Sequence, residues 1–254
     1  MTSLEALFTP ADFATLSKRD LATTCCVVFD ILRATSTMVT ALWNRAAAVL
    51  PVDEIPEAIA ARAQHATALL AGERDGLRIG AALTGGIEFD LGNSPREFTR
   101  AAVKDRTIVM STTNGTRALR ACRGAREILA ASFLNLGATA QAIRRSGSTN
   151  LLVVCSGTLE QAAYEDVLGA GALCDLVWSC FSKDQIADSA QMARELFLNS
   201  ADNLAAALSR SRNARRLLSR PDLKEDVAFC LQRDLMPLVA SLDPDGWLRR
   251  SAPE

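Results

Sequence analysis

Val27-Val28-Phe29-Asp30-Ile31-Leu32-Arg33-Ala34-Thr35-Ser36-Thr37 is the stretch whose reading decides the fold class. Val27, Val28, Phe29 and, past the acid, Ile31 form an apolar run of the kind a buried strand shows. Asp30 sits at the end of the run and Arg33 follows three residues later. Thr35, Ser36 and Thr37 then open a segment that reads as helix over residues 35–44. A carboxylate at a strand's carboxyl end, beside a cation and a helix amino terminus, can hold a metal ion and a phosphate together. The same residues read equally as an Asp that starts a turn and a hydroxyl that caps a helix.

Outward from this stretch the chain alternates. Residues 4–8 read as a short strand, with a turn or short helix starting at Pro10. Residues 46–52 read as strand, and Pro56 in a first helical turn starts a helix running to His65. Residues 67–71 read as strand, ending at Gly72-Glu73-Arg74. Residues 75–92, without a clean period and holding several glycines, read mostly as loop. A helix is expected from Pro95, with Ser94 as its cap. Strands are expected at 107–110, 127–131 and 151–155, and helices at 116–122, 135–145, 164–179, 188–199 and 203–220. Short strands at 226–231 and 235–240 are expected to close the fold. The Arg-rich piece 204–218 reads as a solvated helix rather than a binding surface. Alternating strands and helices argue an α/β layered fold with a largely parallel or mixed sheet. No linker, repeat or low-complexity tract marks a boundary, so residues 1–254 read as a single domain, with two tightly packed lobes as the variant.

Composition removes several function classes. The 254 residues are 49% apolar and 22% charged with a formal net charge of -1, an ordinary globular profile. Such a balance offers no bulk attraction to nucleic acid or an anionic membrane. No apolar run approaches the ~20 residues that cross a bilayer, and the first residues lack a secretory signal pattern. Seven scattered cysteines, an odd number, read as reduced core residues of a cytoplasmic protein rather than a disulfide framework. His65, the single histidine, lies on an ordinary helix face. A His-rich zinc site is therefore excluded, and a Ser-His-Asp triad would need this one residue.

Several strand ends share a pattern of small, polar or carboxylate residues. They are Asp30-Ile31-Leu32-Arg33, Gly72-Glu73-Arg74, Ser111-Thr112-Thr113-Asn114-Gly115-Thr116 and Cys155-Ser156-Gly157-Thr158, with Gly92-Asn93-Ser94-Pro95 as a further turn. If these ends lie side by side they surround one pocket, because ligands of open α/β sheets collect beyond the strands' carboxyl ends. Asp30 and Glu73 offer hard oxygen ligands to magnesium, and Arg33 and Arg74 offer bidentate contacts to phosphate. The turn from Thr113 to Thr116 offers backbone N–H groups, with Gly115 permitting unusual backbone angles. Taken singly, each turn also reads as a capped connection, and Glu73-Arg74 as a surface ion pair. Three phosphatase or nucleotide signatures are missing. Leu32 stands where an Asp-x-Asp-x-Thr motif needs its second acid, six residues separate Cys26 from Arg33, and no Walker A motif occurs.

The combination resembles the 2-phosphosulfolactate phosphatase (ComB) family. The likeness is carried by Phe29 to Thr37, Ala71-Gly72-Glu73-Arg74, Phe89 to Pro95, Thr112 to Thr116, Cys155 to Thr158, Tyr164-Glu165-Asp166 and Asp226 to Cys230. These motifs span nearly the whole chain in order. The resemblance implies a three-layer α/β/α fold and a magnesium-dependent phosphatase that turns (2R)-phospho-3-sulfolactate into 3-sulfolactate and phosphate, a step of coenzyme M biosynthesis. The residues matching the family's motifs are Asp30, Arg33, Glu73, Arg74, Asn93, Ser94, Thr113, Asn114, Gly115, Thr116, Glu165 and Asp166. Asp30, Glu73, Glu165 and Asp166 are expected around the metal, with one of the adjacent pair Glu165 and Asp166 facing it. Asp30, Arg33 and Arg74 are expected to act in catalysis, with Arg74 alternatively reading the substrate's carboxylate or sulfonate. Asn93, Ser94 and Thr113 to Thr116 are expected around the phosphate. The alternatives are a phosphatase for another small 2-phospho-hydroxy acid, or a non-catalytic anion-binding protein on the same scaffold. The partner is in each case a small phosphorylated acid. The apolar residues between Leu173 and Trp178 are compatible with internal packing or a homodimer.

Overall fold

The computed structural model describes residues 1–251. Ten strands form one mixed sheet: β1 (Ser3–Leu7), β2 (Thr24–Phe29), β3 (Ala48–Val52), β4 (Leu69–Arg74), β5 (Leu77–Arg78), β6 (Thr107–Ser111), β7 (Glu127–Ala131), β8 (Asn150–Cys155), β9 (Val239–Leu242) and β10 (Leu248–Ser251). Twelve helices cover it: α1 (Pro10–Ala14), α2 (Ala34–Trp43), α3 (Ile55–Gln64), α4 (Ala81–Thr84), α5 (Arg100–Val103), α6 (Gly115–Ala121), α7 (Leu136–Arg145), α8 (Tyr164–Val177), α9 (Asp188–Leu198), α10 (Leu204–Leu208), α11 (Arg212–Leu218) and α12 (Lys224–Cys230). The result is an α/β layered fold, as the alternating pattern called for, in the three-layer α/β/α arrangement that the resemblance implies.

The strand order is β1-β8-β2-β7-β9-β10-β3-β6-β4-β5. The first four strands are mutually parallel, and so are β3, β6 and β4. Between these two wings, β9 is antiparallel to β7, β10 to β9, and β3 to β10. Three reversals leave the two parallel wings running in opposite senses. The junction is thin, since β10 meets β3 through the single pair Leu248 and Val49. One apolar cluster draws on both wings, joining Val28, Ala130 and Val154 to Val49, Ile108 and Met110 around Met38 and Val39 of α2 and Leu119 of α6. Helix α6 packs on both β2 and β3, and α2 on β3, β7 and β10. The sheet thus curls around these two helices.

Side-chain alternation explains why β2 is central. Cys25, Val27 and Phe29 enter the cluster under α7, α8 and α9, while Cys26 and Val28 enter the cluster around α2 and α6. All six β2 residues are buried, as a strand covered on both faces requires. Helix α8 is buried along nearly its whole length, from Glu165 through Cys174 and again at Val177. All seven cysteines are free thiols, six of them buried. Among the described residues no helix is long and apolar enough to cross a membrane.

The structure corrects several expectations. Residues 226–231, expected as strand, lie in α12 and the turn after it, where Asp226, Val227 and Cys230 share the buried face. A short apolar run does not distinguish the two periods. The helix expected over 203–220 is broken, because the Ser211 hydroxyl accepts from the Ala214 N–H and starts α11 anew. The strand expected at 235–240 is shifted to Val239–Leu242, and its partner β10 was not foreseen. The helix expected from Pro95 is one 3-10 turn, Pro95–Glu97, followed by α5. Strand β4 extends to Arg74, so Glu73 is part of the sheet, and the expected loop after it contains β5 and α4.

The α8–α9 contact rests on a missing side chain. A Cβ on Gly171 would overlap the Ala193 carbonyl, with Phe197 Cβ only 2.8 Å away. Gly171→Ala is expected to force the helices apart and cost about 1–3 kcal/mol. Urea denaturation should show a lower midpoint with an unchanged slope.

Candidate functional site

Asp30 leaves β2 into the first turn of α2 and is held there by its own backbone. Its N–H donates to Thr35 Oγ1, its carbonyl accepts the Thr35 N–H, and its Oδ1 accepts the Ala34 N–H at 3.0 Å. The other hydroxyls expected to open α2 stitch rather than cap. Ser36 donates to the Ile31 carbonyl and Thr37 to the Asn93 carbonyl. The second bond carries the 93–94 turn to the pocket wall.

The pocket is small, about 100 Å³. Its wall includes the acids Asp30, Glu73, Glu165 and Asp166 together with Arg33, Asn93, Thr113 and Asn114. These come from both wings. The β2 and β8 ends lie side by side, and so do the β4 and β6 ends, but four strands separate β2 from β6. They meet because the sheet curls, and the approach is close. A Cβ on Gly115 would stand 2.7 Å from both Asp30 Oδ2 and Ala34 Cβ. Gly115 therefore serves by close packing.

Both members of the Glu165-Asp166 pair line the pocket. Asp166 bridges strand ends: Oδ1 accepts the Ile31 N–H at 2.8 Å, and Oδ2 accepts from Ser156 Oγ and the Gly157 N–H. Glu165 Oε1 accepts from Asn213 Nδ2 at 2.5 Å. Glu73 accepts the Thr113 N–H and hydroxyl on Oε1 and the Gly76 N–H on Oε2. Glu73 and Asp166 thus carry hydrogen bonds on both oxygens and frame the pocket.

The other expected residues divide. Thr113 lines the pocket but commits both donors to Glu73. Thr116 is buried behind, its N–H and hydroxyl turned to Thr112. Ser94 donates to Asp226 Oδ1 at 2.7 Å. Arg74 is absent from the pocket wall. Its guanidinium donates to the carbonyls of Glu73, Ser111 and Asp53 and to Ser111 Oγ, tying β3, β4 and β6 together. His65 caps α3 and meets Trp247 edge-on.

Two parts of the site escaped the sequence reading. Asp226, fully buried on α12, receives Arg33 Nη1 at 2.8 Å, Arg96 Nε and Ser94 Oγ. Arg33 Nη2 also donates to the Gly76 carbonyl. The signal was its place in the Asp226 to Cys230 motif. Helix α11, expected as a solvated face, contributes Asn213, Arg216 and Leu217 to the wall.

Burial governs the electrostatics. Asp30 is pushed up from 3.8 to about 6, first by loss of water and then by Glu73 and Glu165, against the Ala34 N–H and Ser156. Desolvation together with Asp30 and Glu165 holds Asp166 well above the ordinary range. Such a group of acids favours protons or a cation. The donor set fits a hard divalent ion, being oxygen throughout, with Asn93 Oδ1 buried and without a protein partner. Among the described residues no three acids, cysteines or histidines form a closed cluster. That is compatible with magnesium, which takes one or two carboxylates and completes its shell with water and substrate oxygens.

A family model described as 2-phosphosulpholactate phosphatase matches residues 12–244. A protein of Pseudothermotoga lettingae named as a probable 2-phosphosulfolactate phosphatase is 39% identical over 89% of this chain and 92% of its own length. Proteins with the same name from Thermotoga petrophila and a Synechococcus strain are 39% and 38% identical over 85% of this chain, covering 88% and 87% of theirs.

Two measurements test this electrostatic frame. Asp30 holds its proton in the fold at pH values where the unfolded chain has lost it. Without a cation its contribution to stability therefore declines as pH rises from about 4 through about 6. In chelator-treated protein, Asp30→Asn should gain stability over the parent between pH 5 and pH 8, by up to about 3 kcal/mol. Asp226→Asn should do the reverse, leaving Arg33 buried without its partner at a cost of about 3–5 kcal/mol in denaturant titration.

Proposed function

This chain belongs to the 2-phosphosulpholactate phosphatase family, and from that premise we propose that it is a magnesium-dependent phosphatase hydrolysing (2R)-phospho-3-sulfolactate to (2R)-3-sulfolactate and phosphate. The reading extends to a cytoplasmic step of coenzyme M biosynthesis type and to residues 1–254 acting as one domain. The observation that carries it is the meeting of Asp30, Glu73, Glu165 and Asp166 in the small pocket that also contains Arg33 and Asn93.

In this reading Asp30 and Glu165 lead the metal shell through Asp30 Oδ2 and Glu165 Oε2, the Ala34 N–H and Asn213 being bound on Oδ1 and Oε1. Glu73 and Asp166, each hydrogen-bonded on both oxygens, would frame that pair. Bound magnesium would polarise the phosphoryl oxygens and acidify a water. Arg33, its angle fixed by Asp226 and the Gly76 carbonyl, directs its remaining N–H groups at the phosphate. Asn93 and Asn114 complete the polar wall. These fixed donors stabilise charge on the equatorial oxygens as the water oxygen bonds to phosphorus. The ester oxygen leaves with the bonding pair and takes a proton, restoring the 2-hydroxyl.

Phosphate release from 2-phosphosulfolactate, 2-phospholactate, 2-phosphoglycerate and an aryl phosphate, with and without magnesium, tests the reading. The expected result is magnesium-dependent release, fastest from 2-phosphosulfolactate. Asp30→Asn should lower that rate at least about 100-fold, the loss of several kcal/mol of charge stabilisation. Folded, magnesium-loaded protein that releases phosphate from no member would remove the enzyme and leave an anion-binding protein.

A further inference from the structure

We propose that Arg216 on α11 is the residue that recognises the substrate's sulfonate, an inference that rests on the phosphatase reading above. The substrate carries a carboxylate and a sulfonate besides the phosphate, and the pocket wall carries two cations, Arg33 and Arg216. Their settings differ. The Arg33 side chain is 3% exposed and bonded to Asp226, itself fully buried. The Arg216 side chain is 50% exposed, and the carboxylate nearest it, Asp75 Oδ1, lies 3.9 Å away on a side chain 95% exposed. An ion pair so solvated contributes little, so an incoming anion displaces it at small cost. The Arg216 guanidinium also donates to the Asp75 carbonyl.

The position of the guanidinium selects the acid group. It lies over Gly76, where a Cβ would be 3.6 Å from Nη2 and 3.8 Å from Cζ. The Gly76 carbonyl accepts from Arg33, whose side chain is 3% exposed against 50% for Arg216. Arg216 therefore sits one residue layer outward from Arg33, at the mouth. With the phosphate against Arg33 and the acids, the anion reaching farthest outward is the sulfonate, which C3 carries one atom beyond the carbon skeleton's branch. A planar guanidinium can hold two of its oxygens at once. Asn213, three residues earlier on the same helix face, is fixed by Thr158 Oγ1 and Glu165, so α11 ties the mouth to the acid cluster. Arg74, the other candidate for this role, is engaged with backbone carbonyls elsewhere.

The experiment compares 2-phosphosulfolactate with 2-phospholactate, which has a methyl in place of the sulfonate-bearing carbon, in the parent, Arg216→Gln and Arg216→Lys. Arg216→Gln should lower kcat/KM for 2-phosphosulfolactate by about 10- to 100-fold, mainly through KM, the scale of one charge-assisted contact. The preference for 2-phosphosulfolactate over 2-phospholactate should fall toward one, and Arg216→Lys should restore part of it. An equal loss on both substrates, or none on either, would overturn the assignment while leaving the phosphatase intact. A parent protein active on neither would overturn the phosphatase reading itself.

Discussion

Acidic side chains held out of water beside one another are the constraint around which this molecule is arranged. Asp30, Glu165 and Asp166 are nearly fully buried and Glu73 is little more exposed, and burial is the first cause of the raised pKa values of Asp30 and Asp166. A packed interior does not gather like charges without some return. Here they are restrained by backbone N–H groups of Ala34, Ile31, Gly76, Thr113 and Gly157. The frame is rigid and oxygen-rich, which suits a cation and a phosphate.

A second frame of opposite charge stands beside it. The buried pair of Arg33 and Asp226 joins the turn after β2 to α12, and Ser94 and Arg96 bring in the turn after residue 92. Buried pairs contribute little net stability but break at high cost. Its effect here is orientation, since it fixes the one deeply buried cation of the pocket wall. The mouth contrasts with this floor. There Arg216 and Asp75 meet in water, and the contact can be exchanged.

Much of the fold was legible from local pattern. The apolar run before Asp30, the Pro starts of α1 and α3, and the apolar face of α8 each express a period or a cap that a few residues encode. The misreadings fall where local pattern is ambiguous. Asp226-Val227-Ala228-Phe229-Cys230 is too short to separate a strand period from a helical one, and the break before α11 depends on which of several serines caps. The thin junction of β10 with β3 has no sequence signature, because one residue pair makes it.

By itself the sequence determined the residue types of the site, their association with strand ends, and that it carries no His-rich zinc motif, Cys-x5-Arg motif or Walker A motif, because those follow from identity and spacing. Only the tertiary structure decided which of them meet. The curl of the sheet around α2 and α6 brought β2 and β6 ends together across four intervening strands. It also turned Arg74 onto backbone carbonyls and brought α11 to the pocket wall. The physical reason is that contacts between distant segments are selected by packing of the whole core, and no window of neighbouring residues contains that information.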